Sequence, residues 1–253
     1  VGFLYPQKKA KIARLLPLIK SNWEAALKAG EEILWVMSHV GEESGQLATL
    51  AVWRTTMNGA FSQHCTSTGN AIHTRAVVLG TQSKVWFEKK FITSQNWFRE
   101  TNKYAYKVFG TIGRTIDKDD ATVRPYNYLA VKASAIGPRS GSAIAIPCLK
   151  GRDGIYDLAT KLRGPLYANG EELACDDVGL EALDEVYRRV GLSRKRYVWL
   201  AFCPPHSEPV GAAIAYRGPL GLNLSLLENR CDLLTDPSLN HEELSSVCRA
   251  LIK

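Results

Sequence analysis

Leu34-Trp35-Val36-Met37-Ser38-His39 runs through the polar stretch Val40-Gly41-Glu42-Glu43-Ser44-Gly45 into Leu47-Ala48-Thr49-Leu50-Ala51-Val52-Trp53-Arg54. Two apolar runs joined by a short polar turn are the sequence form of a β-hairpin. The arrangement returns later, where Val198-Trp199-Leu200-Ala201-Phe202 passes through Cys203-Pro204-Pro205-His206-Ser207-Glu208-Pro209 into Val210-Gly211-Ala212-Ala213-Ile214-Ala215-Tyr216-Arg217. Aligned on Trp35 and Trp199, the copies agree in apolar pattern, turn position and a closing aromatic–Arg pair, with one residue of slip. A repeat of domain length points to two related domains and not to a solenoid.

The bulk properties are those of a globular protein. The chain has 253 residues, of which 45% are apolar and 23% charged, enough for a sizeable core in one large or two ordinary domains. No apolar run approaches the roughly 18 residues that a membrane helix needs, so no membrane partner is expected. Lys8, Lys9, Lys11 and Arg14 are not followed by a signal-peptide core. The chain starts at Val1 and stops at Leu251-Ile252-Lys253, which reads as the middle of a helix and so as a fragment of a longer protein. Cys65, Cys148, Cys175, Cys203, Cys231 and Cys248 form no CxxC pair. That scatter argues for reduced thiols in a cytoplasmic protein and against a zinc ribbon or disulfide framework. A formal charge of +7 favours an anionic partner such as a phosphate-bearing cofactor, a nucleotide or nucleic acid.

Along the chain, Lys9 to Gly30 has helical spacing of Ile12, Leu15, Leu16, Leu18, Ile19, Trp23, Ala26 and Leu27, with Pro17 as a breaker and Gly30 as a stop. After the first hairpin come a short strand over Ala60–Cys65, a turn over Thr66–Asn70, a strand over His73–Leu79 and a helix within Ser94–Gly113. Ala105, Val108, Phe109 and Ile112 share one face of that helix. Tyr128–Val131 and Ala143–Ile146 read as strands about a Gly- and Ser-containing loop. Leu180–Val190 reads as an amphipathic helix, Leu222–Leu234 as a long strand or bent pair, and Glu242–Lys253 as a closing helix. Gly and charge content rises between Lys150 and Glu172, so the boundary is placed there, giving domains 1–150 and 151–253, the second open-ended. Helix, hairpin, strand, helix in each half indicates an α+β fold of two domains, each a mixed, mostly antiparallel sheet flanked by helices.

This order resembles the GNAT family, the Gcn5-related N-acetyltransferases, in which a helical start, an antiparallel hairpin, a central strand and a helix precede a second strand–helix unit. Asn102, Ala105, Val108, Phe109 and Gly113 match the family's late-helix motif of Asn-x-x-Ala-x-x-Leu-Tyr followed by three residues and a Gly. Asn229-Arg230-Cys231-Asp232-Leu233-Leu234-Thr235-Asp236-Pro237 is similar to its central strand, and Thr74-Arg75-Ala76-Val77-Val78-Leu79 to the equivalent strand of the first half. The resemblance implies a tandem, acyl-CoA-dependent N-acyltransferase using acetyl-CoA or another acyl-CoA. It implies that the backbone of Leu233, Leu234 and Thr235 meets the pantetheine arm.

Two departures stand out. The family's cofactor loop is Gln or Arg, two residues, Gly, one residue, then Gly or Ala, whose glycines let backbone N–H groups reach the pyrophosphate at the next helix start. After Leu234 the chain reads Thr235-Asp236-Pro237-Ser238-Leu239-Asn240-His241-Glu242-Glu243, without glycine, and after Leu79 it reads Gly80-Thr81-Gln82-Ser83-Lys84. The late-helix Tyr, a frequent general acid, is Phe109, which has no proton to give.

Acyl transfer to an amine needs a base, and the internal alignment puts His73 and Glu228 at equivalent places before the two central strands, so these are the candidate catalytic residues. A surface imidazole and a solvated strand-end carboxylate are the simpler accounts of the same residues. Cys203-Pro204-Pro205-His206 lies in a hairpin turn and reads as turn chemistry. No HExxH, GxSxG or His-x-His spacing supports a metal or a serine nucleophile. Arg188, Arg189, Arg194, Lys195 and Arg196 form a basic run best accounted for as a solvated helix end, so nucleic acid is not the expected partner. The alternative to an enzyme is a non-catalytic GNAT-like regulatory protein binding a small anionic ligand, a nucleotide or CoA-like molecule, or a protein partner. The oligomeric state is not legible in the sequence.

Overall fold

The expected first hairpin is formed by β1 (Leu34–Val40) and β2 (Leu47–Arg54), antiparallel and in register from Leu34 opposite Trp53 to Val40 opposite Leu47. The fold is seen in a computed structural model that describes residues 9–10, 12–41, 45–68, 72–89, 91–132, 141–222 and 228–252. The turn residues 42–44, the turn residues 69–70 and the loop residues 133–140 singled out above lie outside the described residues. The described chain forms two four-stranded sheets with helices, the α+β class expected. It divides into two compact units, one of residues 1–97, 182–194 and 218–228, the other of 98–181, 195–217 and 229–253.

In the first unit, α1 (Leu16–Lys28) precedes the hairpin, and β3 (Gly59–Ser67) extends the sheet antiparallel to β2. Pro17 does not break α1. It sits in the first turn, where a missing N–H costs nothing. The stretch His73–Leu79 is not a strand: it opens α2 (Ile72–Glu88), followed by β4 (Thr93–Gln95), parallel to β3. Parallel neighbours need a crossover, and a helix is the usual one. The run Val77-Val78-Leu79 has β-forming residues, but Val78 and Gln82 are buried and Val85 is packed on the same core, a helical i, i+4, i+7 stripe. Trp35, Met37, Leu50, Val52 and Val78 form the core on that face of the sheet. On the other face Trp53 is fully buried, with its ring centroid 5.2 Å from Phe61, which lies 6.3 Å from Trp97. Such aromatic pairs add about 0.5–1.5 kcal/mol each beyond area burial.

Late segments of the chain complete this unit. Asn22 Nδ2 donates to Leu220 O and Trp23 Nε1 to Gly221 O, both at 2.8 Å. Gly221 has a φ of +88°, and a Cβ there would collide with Ile19.

The second unit begins with a helical stretch that starts inside Ser94–Gly113, where a helix was expected. It consists of α3 (Lys103–Ala105), a π turn over Tyr106–Gly110 and α4 (Thr111–Thr115). The wider turn shifts the helical phase, and Ile112 is exposed while Ala105 is buried. Tyr128–Val131 forms no strand. Residues 121–132 have no helix or strand, and Leu129 and Val131 are exposed.

The sheet of this unit is antiparallel throughout, in the order β5 (Ile144–Pro147), β6 (Lys195–Phe202), β7 (Gly211–Arg217), β8 (Cys231–Thr235). β5, on the N-terminal side of the expected domain boundary, thus pairs with the second hairpin. α5 (Ile155–Arg163) and α6 (Pro165–Gly170) cover one face through Ile155, Leu158 and Ala168 against Val198, Leu200 and Ile214. α8 (His241–Ile252) covers the other through Val247 and Leu251. The intervening α7 (Glu181–Arg188) contributes residues 182–188 to the first unit. The long strand expected over Leu222–Leu234 is confined to β8, and residues 223–227 lie outside the described ones.

Candidate functional site

In the first unit β3 and β4 form a short parallel ladder at one side of the sheet. The parallel ladder pairs Gly59 with Thr93, Ala60 with Ser94 and Phe61 with Gln95, and then β4 ends while β3 continues to Ser67. Among the described residues no strand takes over that edge. Beside it, β3 is irregular: Thr49 faces Thr66 and Ala51 faces Gln63, so Leu50 alone stands opposite His64 and Cys65. A bulge of this kind takes a backbone N–H out of the ladder and is common next to active sites. Under the edge, Gln82 of α2 donates to the Ser62 hydroxyl in a buried pair that ties the helix to β3.

His73 lies in the first turn of α2, immediately past the β3–α2 junction, and its side chain is outside the described ones. Because His73–Leu79 is helical, the strand-to-helix junction is not after Leu79. It falls between Ser67 and Ile72, where the sequence reads Thr68-Gly69-Asn70-Ala71.

Glu228 stands before β8, not on a strand, and is buried. Its carboxylate pairs with the Arg194 guanidinium, whose Nε donates to Thr55 O at 2.8 Å. Leu233, Leu234 and Thr235 lie on β8, paired to Ala213, Ala212 and Gly211 of β7, with Leu234 in the core. The following junction is occupied by the chain's own groups. Asp236 accepts from Ser238 N (2.9 Å), Ser238 Oγ (2.7 Å) and Lys161 Nζ (2.6 Å). The Lys161 and Ser238 hydrogen bonds hold its carboxyl far below the usual carboxylate range. Asn240 Oδ1 accepts from the N–H groups of Glu242 (2.9 Å) and Glu243 (3.0 Å), and Glu243 Oε2 accepts from Asn240 N (2.9 Å). The α8 amides that could bind an anion are therefore capped, and two carboxylates stand in the first turn.

Beside β8 lies a polar cluster that sequence reading did not find. Arg230 Nε donates to both Asp232 oxygens at 2.9 and 3.1 Å, and its guanidinium lies 4.0 Å over the Tyr216 ring. Glu171 stands between Arg230 (3.6 Å) and Arg196 (3.7 Å). Burial, with the charges of Asp232 and Glu171, pushes the Tyr167 hydroxyl far up, and burial with Glu171 does the same to Tyr216, so both stay neutral. Burial also raises the Asp232 carboxyl, against the pull of Arg230. Two arginines and two carboxylates balance here, which suits a structural network that joins β6, β7 and β8 to α6.

Four arginines of the basic run are matched to carboxylates: Arg188 to Asp184, Arg189 to Glu32, Arg194 to Glu228 and Arg196 to Glu171. Cys203 is buried with its Sγ 3.6 Å from Ser142 Oγ, while His206 Nε2 lies 3.6 Å from Glu243 Oε1, so the hairpin turn makes no thiolate–imidazole pair of its own. Phe109 packs on Phe98, 6.1 Å between centroids, and Tyr106 is exposed under the Arg114 guanidinium. Among the described residues no His, Cys, Asp and Glu cluster could hold a metal, and no helix is long and apolar enough to cross a membrane.

No family model matches the chain, and no curated protein does. Among solved structures, it is similar to a tandem GNAT protein from the clavulanic acid biosynthesis pathway, solved without AcCoA. The match has 7% identity and a TM-score of 0.36, and it covers 91% of this chain and 73% of that one. A likeness this slight decides neither family nor activity.

Proposed function

We propose that the chain is an acyl-CoA-dependent N-acyltransferase whose thioester lies along the β3 edge of the first unit. The observation that carries the reading is the end of the β3–β4 ladder at Phe61 and Gln95, with β3 running on beside a bulge. An exposed edge hydrogen-bonds an extended, amide-bearing chain as it would another strand, and a pantetheine arm is such a chain. A backbone N–H at the bulge is proposed to hold the carbonyl oxygen as negative charge develops on it. The amine nitrogen adds to the thioester carbon, the carbon–sulfur bond breaks, and the thiolate leaves and takes up a proton. A base must first remove the proton of the ammonium, and His73, just past β3, is proposed for it.

The second unit is proposed to be the silent half. The self-capped start of α8 and its acidic first turn oppose a pyrophosphate beyond Leu233, Leu234 and Thr235, and Glu228 is proposed as a counter-ion and not a base.

Thermal stability with acetyl-CoA tests the reading. Ligand at about 100 times its Kd should add about 2.7 kcal/mol, and no shift with any CoA thioester would overturn it. His73→Ala should slow turnover with acetyl-CoA binding retained; an unchanged rate removes His73 as the base.

A further inference from the structure

The turn Thr55–Asn58, which joins β2 to β3, is a point where two distant segments meet. On one side Asn58 O accepts from Ile92 N at 2.9 Å and Thr93 N at 3.4 Å, which seats β4 beside the start of β3. On the other side the preceding carbonyls face residues more than a hundred positions later. Tyr187 Oη donates to Arg54 O at 2.9 Å and Arg194 Nε to Thr55 O at 2.8 Å. Both late residues are themselves held. Tyr187 is fully buried, and burial keeps its hydroxyl protonated. Arg194 pairs with Glu228, and its backbone N donates to Asp184 Oδ1 at 2.9 Å, beside the Ser193 Oγ bond to the same oxygen at 2.7 Å. Gly218 leaves room for the pair, since a Cβ there would stand 3.2 Å from Arg194 Nη1 and 3.3 Å from Glu228 Oε2.

We propose that Tyr187 and Arg194 are positioning residues that set the β2–β3 turn and, through Asn58 O, the seat of β4 against β3. The inference rests on the acyltransferase reading only for what the β3 edge binds. A buried carbonyl that loses its donor moves to find another, and a backbone turn has few ways to move without carrying its neighbours. Displacing Thr55–Asn58 shifts the Asn58 carbonyl and with it the short β3–β4 ladder of three residue pairs.

The test uses the full chain with Tyr187→Phe, and separately the paired Arg194→Gln and Glu228→Gln change, which leaves no charge unmatched. Amide exchange at Ile92 and Thr93 and the Kd for acetyl-CoA are measured alongside stability in urea. Faster exchange at both amides, with acetyl-CoA bound about two- to tenfold more weakly, is the expected result and matches one lost hydrogen bond. Native exchange at Ile92 and Thr93 in both variants, whatever the fall in global stability, would show the residues to be merely structural. If the unaltered chain binds no CoA thioester while the variants still loosen Ile92 and Thr93, the positioning stands and the acyltransferase reading falls. Should the paired variant not fold, Ser193→Ala, which removes only the bond to Asp184 beside Arg194, gives the same exchange readout.

Discussion

Arg194 and Glu228 form an ion pair in the interior of the first unit, with 4% and 5% of their side chains exposed. Removing one partner of such a pair strands a buried charge, whereas removing both often costs little. Arg194→Met should therefore destabilise the protein by about 3–5 kcal/mol. Arg194→Met with Glu228→Leu should recover much of that loss. Urea unfolding of the two single and one double variant measures the coupling, and additive losses would rule the pair out as a unit.

Gly221 combines a left-handed φ of +88° with a missing Cβ beside Ile19. Gly221→Ala should cost more than the roughly 0.4–1 kcal/mol scale of ordinary Gly-to-Ala effects, because strain and collision act together. Thermal unfolding of Gly221→Ala compared with Gly191→Ala, where φ is +74° with open space around the Cβ, separates strain from collision.

Asp236 titrates below its ordinary value of 3.8 in the folded chain because the Lys161 and Ser238 hydrogen bonds favour its charged form. The unfolded chain then binds the proton more readily, so the carboxylate contributes stability above about that pH and loses it as pH falls toward the folded value. Asp236→Asn should be less stable at neutral pH, and its deficit should shrink as acid is added. Lys161 is exposed, so added salt should remove part of the effect. Urea midpoints of both proteins taken downward from neutral pH give the comparison, and a constant difference would refute it.

A chain cut after Glu181 lacks the groups that Arg54 O, Thr55 O, Asn22 and Trp23 meet. Residues 1–181 expressed alone should show no cooperative unfolding of the first sheet by circular dichroism. Adding residues 182–253 in trans should restore it, and a sharp transition in the fragment alone would show that the early strands suffice.

Both hairpins were legible because two apolar runs joined by a polar turn are a local pattern, written within each strand and its turn. The closing helix and Leu180–Val190 were legible for the same reason, and Leu183 and Tyr187 lie buried as their spacing implied. The segment His73–Leu79 was not legible from its first residues, since Val77-Val78-Leu79 suits strand and helix equally. Only the continuation through Gln82 and Val85 separates the two periods. That one ambiguity moved the expected strand-to-helix junction from the segment between Ser67 and Ile72 to a place after Leu79.

The amino-acid sequence by itself determined the two hairpins, the closing helix and hence the α+β class, because these depend on residues a few positions apart. Tertiary structure alone decided that Glu228 belongs to Arg194, that the basic run is matched by Asp184, Glu32, Glu228 and Glu171, and that residues 182–194 and 218–228 complete the first unit. Those pairings span up to 157 residues of chain. A charge carries no mark of its distant partner, and only the close packing of the interior selects one carboxylate over another.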